Sequence, residues 1–360
     1  MTDTTKRQKR LRQTLKWSVY SLLLVLVLPL IPYAIDAATN PSANKAANEV
    51  VQVPNPGGEL WRDVRQRDRS VAGNTQVRGV DTGVLINKNG EDWRQFRMNA
   101  LVPFGAALMG IILALILLFH FTRGPMRLPG GFSGKKILRF TLSERMVHWF
   151  TVSIFWVLGL TGLILLYGRF VLIPLFGPGG FSITASACKE AHNLLGPLFL
   201  FAMIALFITF VKNNLYAQGD LNWLTKVGGL FGGHASAGRF NAGEKIWFWL
   251  ATLLGFALCF TGLILDFAVI GQSRDVMAIS HVIHGISATV MIAVSFGHIY
   301  LGTAGTEGSF SSMANGYVDE NWAKSHHDQW YDEVKHTATD AEAPQGGMLA
   351  GSVVEARRDV

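Results

Sequence analysis

The chain has 360 residues, of which 49% are hydrophobic and only 16% are charged. This composition is too apolar for an ordinary soluble enzyme and indicates several membrane spans. The formal net charge of +7 is typical of a membrane protein whose cytoplasmic loops carry Lys and Arg, and we favour this interpretation over nucleic-acid binding. The two cysteines exclude a disulfide scaffold and an iron–sulfur site, which needs about four thiolates.

Residues 1–37 have the layout of a secretory signal peptide. A basic head precedes an apolar run over residues 17–33, and small residues follow. We expect cleavage near Ala37, with an uncleaved anchor helix as the alternative. In both cases residues 38–99 are exported, and we predict for them a small, partly irregular periplasmic segment that docks on a partner. The sequence has no C-x-x-C-H motif, which excludes a c-type haem domain.

Five apolar stretches without charges follow, and each is long enough to span a bilayer. They cover residues 100–121, 146–168, 191–211, 246–265 and 277–303. The loops 122–145 and 212–245 are rich in Lys and Arg, whereas 169–190 and 266–276 are nearly free of positive charge. The positive-inside rule therefore places the two basic loops and the tail 304–360 on the cytoplasmic side of a bacterial inner membrane.

Two parts of the apolar region repeat one another. Glu144 stands 17 residues before a Thr-Gly-Leu-Ile-Leu motif that begins at Thr161, and Glu244 stands 17 residues before the same motif at Thr261. This parallel repeat of helix pairs predicts a pseudo-symmetric four-helix transmembrane bundle over residues 146–303. The expected fold class is all-α integral membrane, with the first apolar stretch as an extra N-terminal transmembrane helix.

A histidine inside a membrane span is costly and tends to face the interior of the bundle. The spans contain six of them: His120, His148, His192, His281, His284 and His298. His284 and His298 lie 14 residues apart on one helix, which leaves them about 40° short of four full turns and about 21 Å apart along the axis. They therefore share one face near opposite leaflets, as two stacked haems require. His281 is displaced from that face.

The depth at which each helix begins assigns the opposing ligands. His192 begins a helix that enters from the periplasm, at the depth of His284, and His148 begins one that enters from the cytoplasm, at the depth of His298. We therefore predict two haem b groups, one ligated by His192 and His284 and the other by His148 and His298. The counterpart of His148 in the repeat is Phe248, so the bundle has diverged at the cytoplasmic haem.

The other histidines receive no ligand role. We expect His120 to be an interfacial residue that ends its helix, and we expect the cytoplasmic histidines to be solvated, namely His234, His326, His327 and His336. Two alternatives of another class remain, a haem-free anchor or transporter and a membrane metalloenzyme with a His281-x-x-His284 pair. The second is weak, because the sequence has no H-E-x-x-H motif and no carboxylate placed as a general base.

An ordered set of motifs connects about residues 137–335 to a known family. These motifs are Arg139-Phe140-Thr141, Glu144-Arg145-x-x-His148-Trp149, Ala191-His192, Phe240-Asn241-Ala242-Gly243-Glu244-Lys245, Ile283-His284, Gly297-His298-Ile299-Tyr300 and Trp322-Ala323-Lys324-x-His326-His327-x-x-Trp330-Tyr331. In their order and spacing the chain resembles the cytochrome b (gamma) subunit of membrane-bound formate dehydrogenase. The segment 38–99 and the extra helix 100–121 have no counterpart in the compact four-helix members.

The resemblance implies a role in electron transfer. A periplasmic molybdenum- or tungsten-containing subunit would oxidise formate, and an iron–sulfur subunit would pass electrons through the two haems to a quinone, menaquinone or ubiquinone, near the cytoplasmic face. In the family the quinone pocket uses the Asn and Gly of the Asn-Ala-Gly motif, here Asn241 and Gly243. Asn241 followed by Glu244 is also the pattern of a helix N-cap, and we favour a dual role.

Related cytochrome b subunits serve nickel–iron hydrogenase and thiosulfate reductase with the same haem ligation. The Asn-Ala-Gly and Trp-Ala-Lys stretches favour formate dehydrogenase over these two.

Overall fold

The computed structural model describes residues 58–66, 88–229, 235–268 and 271–340. The predicted signal peptide or anchor over 1–37 lies outside the described residues. Most of segment 38–99, which is predicted to be exported, also lies outside them, as do His234 and the tail beyond residue 340.

The described chain is mostly helical. Its α-helices are α1 Gly58–Arg65, α2 Lys88–Phe96, α3 Val102–Arg123, α4 Leu142–Phe210, α5 Asp220–Thr225, α6 Ala242–Asp266, α7 Arg274–Tyr300, α8 Ser309–Ala314, α9 Glu320–His326 and α10 Asp328–Val334. Short π-helical turns cover Arg97–Leu101 and Leu301–Gly305, and 3-10 turns cover Val211–Asn214, Val227–Gly229 and Lys335–Thr337. The strands β1 Lys135–Leu138, β2 Tyr317–Asp319 and β3 Thr339–Asp340 form an antiparallel sheet in the order β2-β1-β3.

Four helical stretches within the described residues are long and apolar enough to cross a membrane. They are Gly90–Arg123, Leu142–Asn214, Ala242–Asp266 and Arg274–Gly305. Together they contain all five apolar stretches of the sequence, two of them within Leu142–Asn214. The chain is therefore an all-α, multi-pass membrane protein, as its sequence predicts.

The chain divides into two compact units, each with its own contacts. The first consists of Met1–Arg97, Trp156–Pro197 and Ile264–Ser280, and the second of Met98–Phe155, Leu198–Leu263 and His281–Val360.

In the first unit, α4 reverses its direction at Gly177. This residue has φ 70° and ψ 173°, a backbone conformation that is essentially restricted to glycine. The Oγ1 atom of Thr161 lies 2.9 Å from Nδ1 of His192, although 31 residues separate them. A straight helix would hold them about 46 Å apart. The connection over 169–190 is therefore helical on both sides of one glycine, because its apolar residues favour helix and Gly177 alone leaves it.

In the second unit, four helix segments close into a bundle. The segments are 142–155, 198–210, 242–263 and 281–300. Each neighbouring pair is joined by side-chain contacts: Phe155 stacks on Phe199, Met203 fills the space beside Gly255, Trp247 stacks on His298, and His298 faces His148. This closed ring is the four-helix arrangement that the sequence repeat predicts.

The extra helix α3 packs on α7 and runs parallel to it. Leu101, at the start of α3, fills the space beside Gly285. At the other end, Nδ1 of His120 lies 3.3 Å from the hydroxyl of Tyr300. Because positions advance in the same direction along both helices, α3 and α7 cross the membrane in the same sense. The positive-inside rule requires the same relative orientation.

Two Arg–Glu ion pairs cross between the repeats at the polar end of the second unit. Arg139 donates to Glu244 at 2.9 Å and to the carbonyl of Arg239 at 3.1 Å. Arg239 donates to Glu144 at 2.8 Å and to the carbonyl of Arg139 at 2.8 Å. Each arginine thus binds both the carboxylate and the backbone of the other repeat. Burial lowers the pKa of Arg139, and the carboxylate of Glu244 opposes this effect.

The segment that follows α7 folds back onto these ion pairs, so the prediction that His327 is solvated is wrong. His327 is 1% exposed and packs against Trp322. Its Nδ1 donates to the carbonyl of Gly238 at 2.8 Å. Burial, followed by the charge of Arg139, holds the pKa of His327 well below its usual value. Trp322 and Trp330, which lie in the same polar segment, cover the ring of His327. The polar character of the segment does not predict this burial.

Two other histidines of the segments predicted to be cytoplasmic are described, and they differ in burial. His326 is partly buried, and burial is the main cause that lowers its pKa to about 4. His336 is exposed, as predicted.

Replacing Arg139 by methionine is expected to destabilise the protein by about 2 kcal/mol, because it removes a 2% exposed side chain and leaves Glu244 and the carbonyl of Arg239 without their hydrogen-bond donor. The control is Lys135→Met. Lys135 lies 3.9 Å from Glu320 and its side chain is 54% exposed, so its loss costs about 0.5 kcal/mol. Denaturant unfolding of the purified protein in detergent, followed by tryptophan fluorescence, measures both. Equal effects of the two substitutions contradict the structural role of the crossed pairs.

Candidate functional site

In the first unit, Thr161 and Gly162 hold the imidazole of His192. The Oγ1 atom of Thr161 lies 2.9 Å from Nδ1 of His192. A Cβ atom added to Gly162 would lie 3.5 Å from Cε1 of the same ring. Thr161 is only 1% exposed, so this contact lies in the interior of the unit.

In the second unit, Thr261 and Gly262 hold His284 in the same way. The Oγ1 atom of Thr261 lies 3.0 Å from Nδ1 of His284. A Cβ atom on Gly262 would lie 3.3 Å from Cε1 of that ring. The two Thr-Gly motifs of the sequence repeat therefore each serve one histidine. The motif repeat is visible in the sequence, but the repeat alone indicates no role for its threonines.

The second unit also brings His148 and His298 together. Their ring centroids lie 6.4 Å apart with an interplanar angle of 56°. The indole of Trp247 stacks on His298 with centroids 4.6 Å apart and planes within 13°. The partners come from three helix segments, so the packing of the bundle sets this arrangement.

The geometry of His148 and His298 fits two imidazoles on opposite sides of one iron. A metal–imidazole bond of about 2 Å plus about 1 Å from nitrogen to ring centre places the two centroids about 6 Å apart. The Nδ1 atom of His148 is buried and has no hydrogen-bond partner among the described residues. His298 is among the exposed residues of α7.

The remaining histidines of the spans have other surroundings. His281 lies on α7 with an exposed side chain, three residues before His284. His120 lies in the last turn of α3, next to Tyr300. The pairing of His192 with His284 stays a prediction from sequence depth.

Asn241 and Gly243, predicted to contact quinone, lie at the start of α6. Asn241 forms a complete capping box with Glu244: its Oδ1 accepts from the backbone N–H of Glu244 at 2.9 Å, and its own N–H donates to the Glu244 carboxylate at 3.0 Å. A Cβ atom on Gly243 would lie 2.8 Å from the indole of Trp223. The expected N-cap is therefore present, and the close approach that Gly243 permits is made by Trp223.

A polar pocket of about 330 Å³ opens beside this motif in the second unit. Arg239, Phe240 and Lys245 line it, together with Lys212 and Asp220. Neither Asn241 nor Gly243 is among its lining residues. The Nζ atom of Lys245 lies 2.8 Å from Asp220, so the charge of this lysine is neutralised within the wall of the pocket.

Residues 139–316 match the family model of prokaryotic cytochrome b561. The matched region begins at the first arginine of the crossed ion pairs and contains all four predicted haem ligands.

Three curated relatives carry related descriptions. The chain is 28% identical over 219 residues to the cytochrome b556 subunit of the nitrate-inducible formate dehydrogenase of Escherichia coli K12, covering 59% of this chain and 98% of the relative. It is 28% identical over 206 residues to a second formate dehydrogenase cytochrome b556 subunit of the same strain, covering 56% and 94%. The formate dehydrogenase cytochrome b556 subunit of Haemophilus influenzae is 29% identical over 205 residues, covering 55% and 83%.

These relatives confirm the resemblance that the motifs predict. The matched family implies haem b, and the facing rings of His148 and His298 fit it. Over residues 139–316, the chain is similar to the prokaryotic cytochrome b561 family of membrane cytochromes b.

Proposed function

We propose that the chain is the membrane cytochrome b subunit of a formate dehydrogenase, with two b haems in its bundle. The observation that carries this proposal is the 6.4 Å separation of the His148 and His298 ring centroids. The descriptions of the relatives from Escherichia coli and Haemophilus influenzae support the choice of formate dehydrogenase.

Four histidines hold the two haems in this proposal. His148 and His298 ligate one, and His192 and His284 ligate the other. The equal contacts of His192 with Thr161 and of His284 with Thr261 support a shared role for the second pair. When bound, the haems would act as one-electron carriers. The two histidines of α7 that would hold them, His284 and His298, lie about 21 Å apart along the helix axis.

The chain works with partner subunits in this account. We assign formate oxidation to a molybdenum- or tungsten-containing subunit on the periplasmic side, and electron delivery to an iron–sulfur subunit beside the His192 and His284 pair. These assignments come from the family resemblance. The parallel orientation of α3 and α7 agrees with a common start on the periplasmic side, and we infer that residues 38–99 lie on the partners' side of the inner membrane.

We place quinone reduction beside the start of α6, near the cytoplasmic face. The helix cap uses only Oδ1 of Asn241. The side-chain amide nitrogen can therefore donate a hydrogen bond to a quinone oxygen. Quinone reduction there takes two protons from the cytoplasm, while formate oxidation releases its proton outside. Electrons that move inward between these two reactions generate a membrane potential without a proton pump.

The haem assignment predicts a distinct loss for each histidine pair. His148→Ala or His298→Ala is expected to lower the haem content from two to one per chain, and His192→Ala or His284→Ala to remove the other haem, because each iron loses an axial ligand. The pyridine haemochrome assay gives the count, and redox difference spectra identify the haem that remains. His281→Ala and His120→Ala are the controls and keep both haems. Haem loss in His281→Ala contradicts the shared-face argument.

Membrane orientation is tested with reporters that are active only in the cytoplasm. A reporter fused after Gly90 is expected to be silent, because the segment before α3 is exported, and one fused after Asp340 is expected to be active. Immunoblots of both fusions control for expression. If the first fusion is active and the second is silent, the chain has the opposite membrane orientation, and the two histidine pairs exchange sides.

Substitutions of Asn241 separate its cap from a quinone contact. Serine caps a helix about as well as asparagine but lacks the amide donors. Asn241→Ser is therefore expected to keep both haems and normal stability while quinone reduction falls by about tenfold, the effect of losing one buried hydrogen bond. Asn241→Ala is expected to lose stability as well. If Asn241→Ser reduces quinone at the normal rate, Asn241 is a helix cap alone.

A further inference from the structure

The two Thr–His contacts have a defined hydrogen-bond direction. The Oγ1 atom of Thr161 lies 2.8 Å from the carbonyl oxygen of Val157, and that of Thr261 lies 2.6 Å from the carbonyl oxygen of Ala257. A hydroxyl has one hydrogen, and a carbonyl oxygen only accepts. Each threonine therefore donates to its own helix backbone, and its oxygen accepts from Nδ1–H of the histidine. The ring of His192 also donates to the backbone carbonyl of Leu158.

This direction selects one tautomer of each histidine. The ring proton lies on Nδ1, and the lone pair lies on Nε2, the nitrogen through which a neutral imidazole binds a metal. A hydrogen bond from Nδ1–H to an acceptor also fixes the ring plane and makes the imidazole a stronger electron donor. A threonine oxygen is a neutral acceptor, so its effect is smaller than that of a carboxylate.

The other histidine pair is not built in this way. Nδ1 of His148 has no hydrogen-bond partner among the described residues, and its counterpart in the repeat is Phe248. The contact of a histidine with a Thr-Gly motif is therefore made by His192 and His284 and not by His148. Each repeat contains one such motif.

We propose that Thr161 and Thr261 are positioning residues that lower the midpoint potential of the haem held by His192 and His284. This inference rests on the proposed haem assignment. Stronger electron donation by an axial imidazole stabilises ferric over ferrous iron, which lowers the potential. A lower potential at the pair near the electron donor favours flow toward the pair formed by His148 and His298.

The test replaces each threonine by the isosteric valine in the full-length subunit. Thr161→Val and Thr261→Val are expected to keep two haems and to shift the ferric/ferrous equilibrium of one haem about fivefold toward the ferrous form, the size of one neutral hydrogen bond. The haem of His148 and His298 is expected to keep its potential. Redox titration of the visible spectrum measures both.

Two controls isolate the hydrogen bond. Thr252 is a 2% exposed threonine of α6 whose hydroxyl donates to the carbonyl of Phe248 at 2.6 Å, and Thr252→Val is expected to leave both potentials unchanged. Thr161→Ser and Thr261→Ser keep the hydroxyl and are expected to restore the wild-type potential. If the valine variants lose a haem and the serine variants retain it, the positioning role is supported.

Three results overturn the inference. They are unchanged potentials in valine variants with two haems, an equal shift in Thr252→Val, and loss of haem in the serine variants as well as in the valine variants. Failure of the haem assignment itself is separate, because the wild-type protein would then contain fewer than two haems.

Discussion

The crossed ion pairs of Arg139 with Glu244 and of Arg239 with Glu144 determine how the two repeats meet in the second unit. Each arginine also binds the backbone carbonyl of the other, so neither repeat can shift without breaking two hydrogen bonds. In an apolar bundle, van der Waals packing alone discriminates weakly between helix registers. The ion pairs supply this discrimination at the first turn of each repeat, close to the helix segments that carry His148 and its ring neighbours.

The same repeat explains why the histidine pairs differ in their surroundings. The Thr-Gly motif is present in both copies, so His192 and His284 receive the same acceptor and the same space for the ring. His148 and His298 depend on later divergence, since one copy has Phe248 at the corresponding position. An aromatic neighbour, Trp247, contacts His298 in place of a polar partner. The repeat thus gives His192 and His284 matching surroundings, whereas His148 and His298 have surroundings that differ between the two copies.

Features set by local periodicity were predictable from the sequence, whereas features set by distant packing were not. Long apolar runs predict the spans, and the 14-residue spacing of His284 and His298 predicts a shared face. The crossed pairs join residues that are 95 and 105 positions apart, and their residues also fit ordinary charged loops. The burial of His327 depends on tryptophans of a polar segment, and the reversal of α4 within 169–190 depends on Gly177.

The central claim is that this bundle binds two haems, each between two histidines. Near-infrared magnetic circular dichroism of the oxidised, purified subunit tests it most directly, because the charge-transfer band reports the axial ligands of low-spin haem. The account predicts bis-imidazole bands alone, with an intensity that corresponds to two haems per chain. High-spin haem, a histidine–methionine signature or the intensity of a single haem contradicts it.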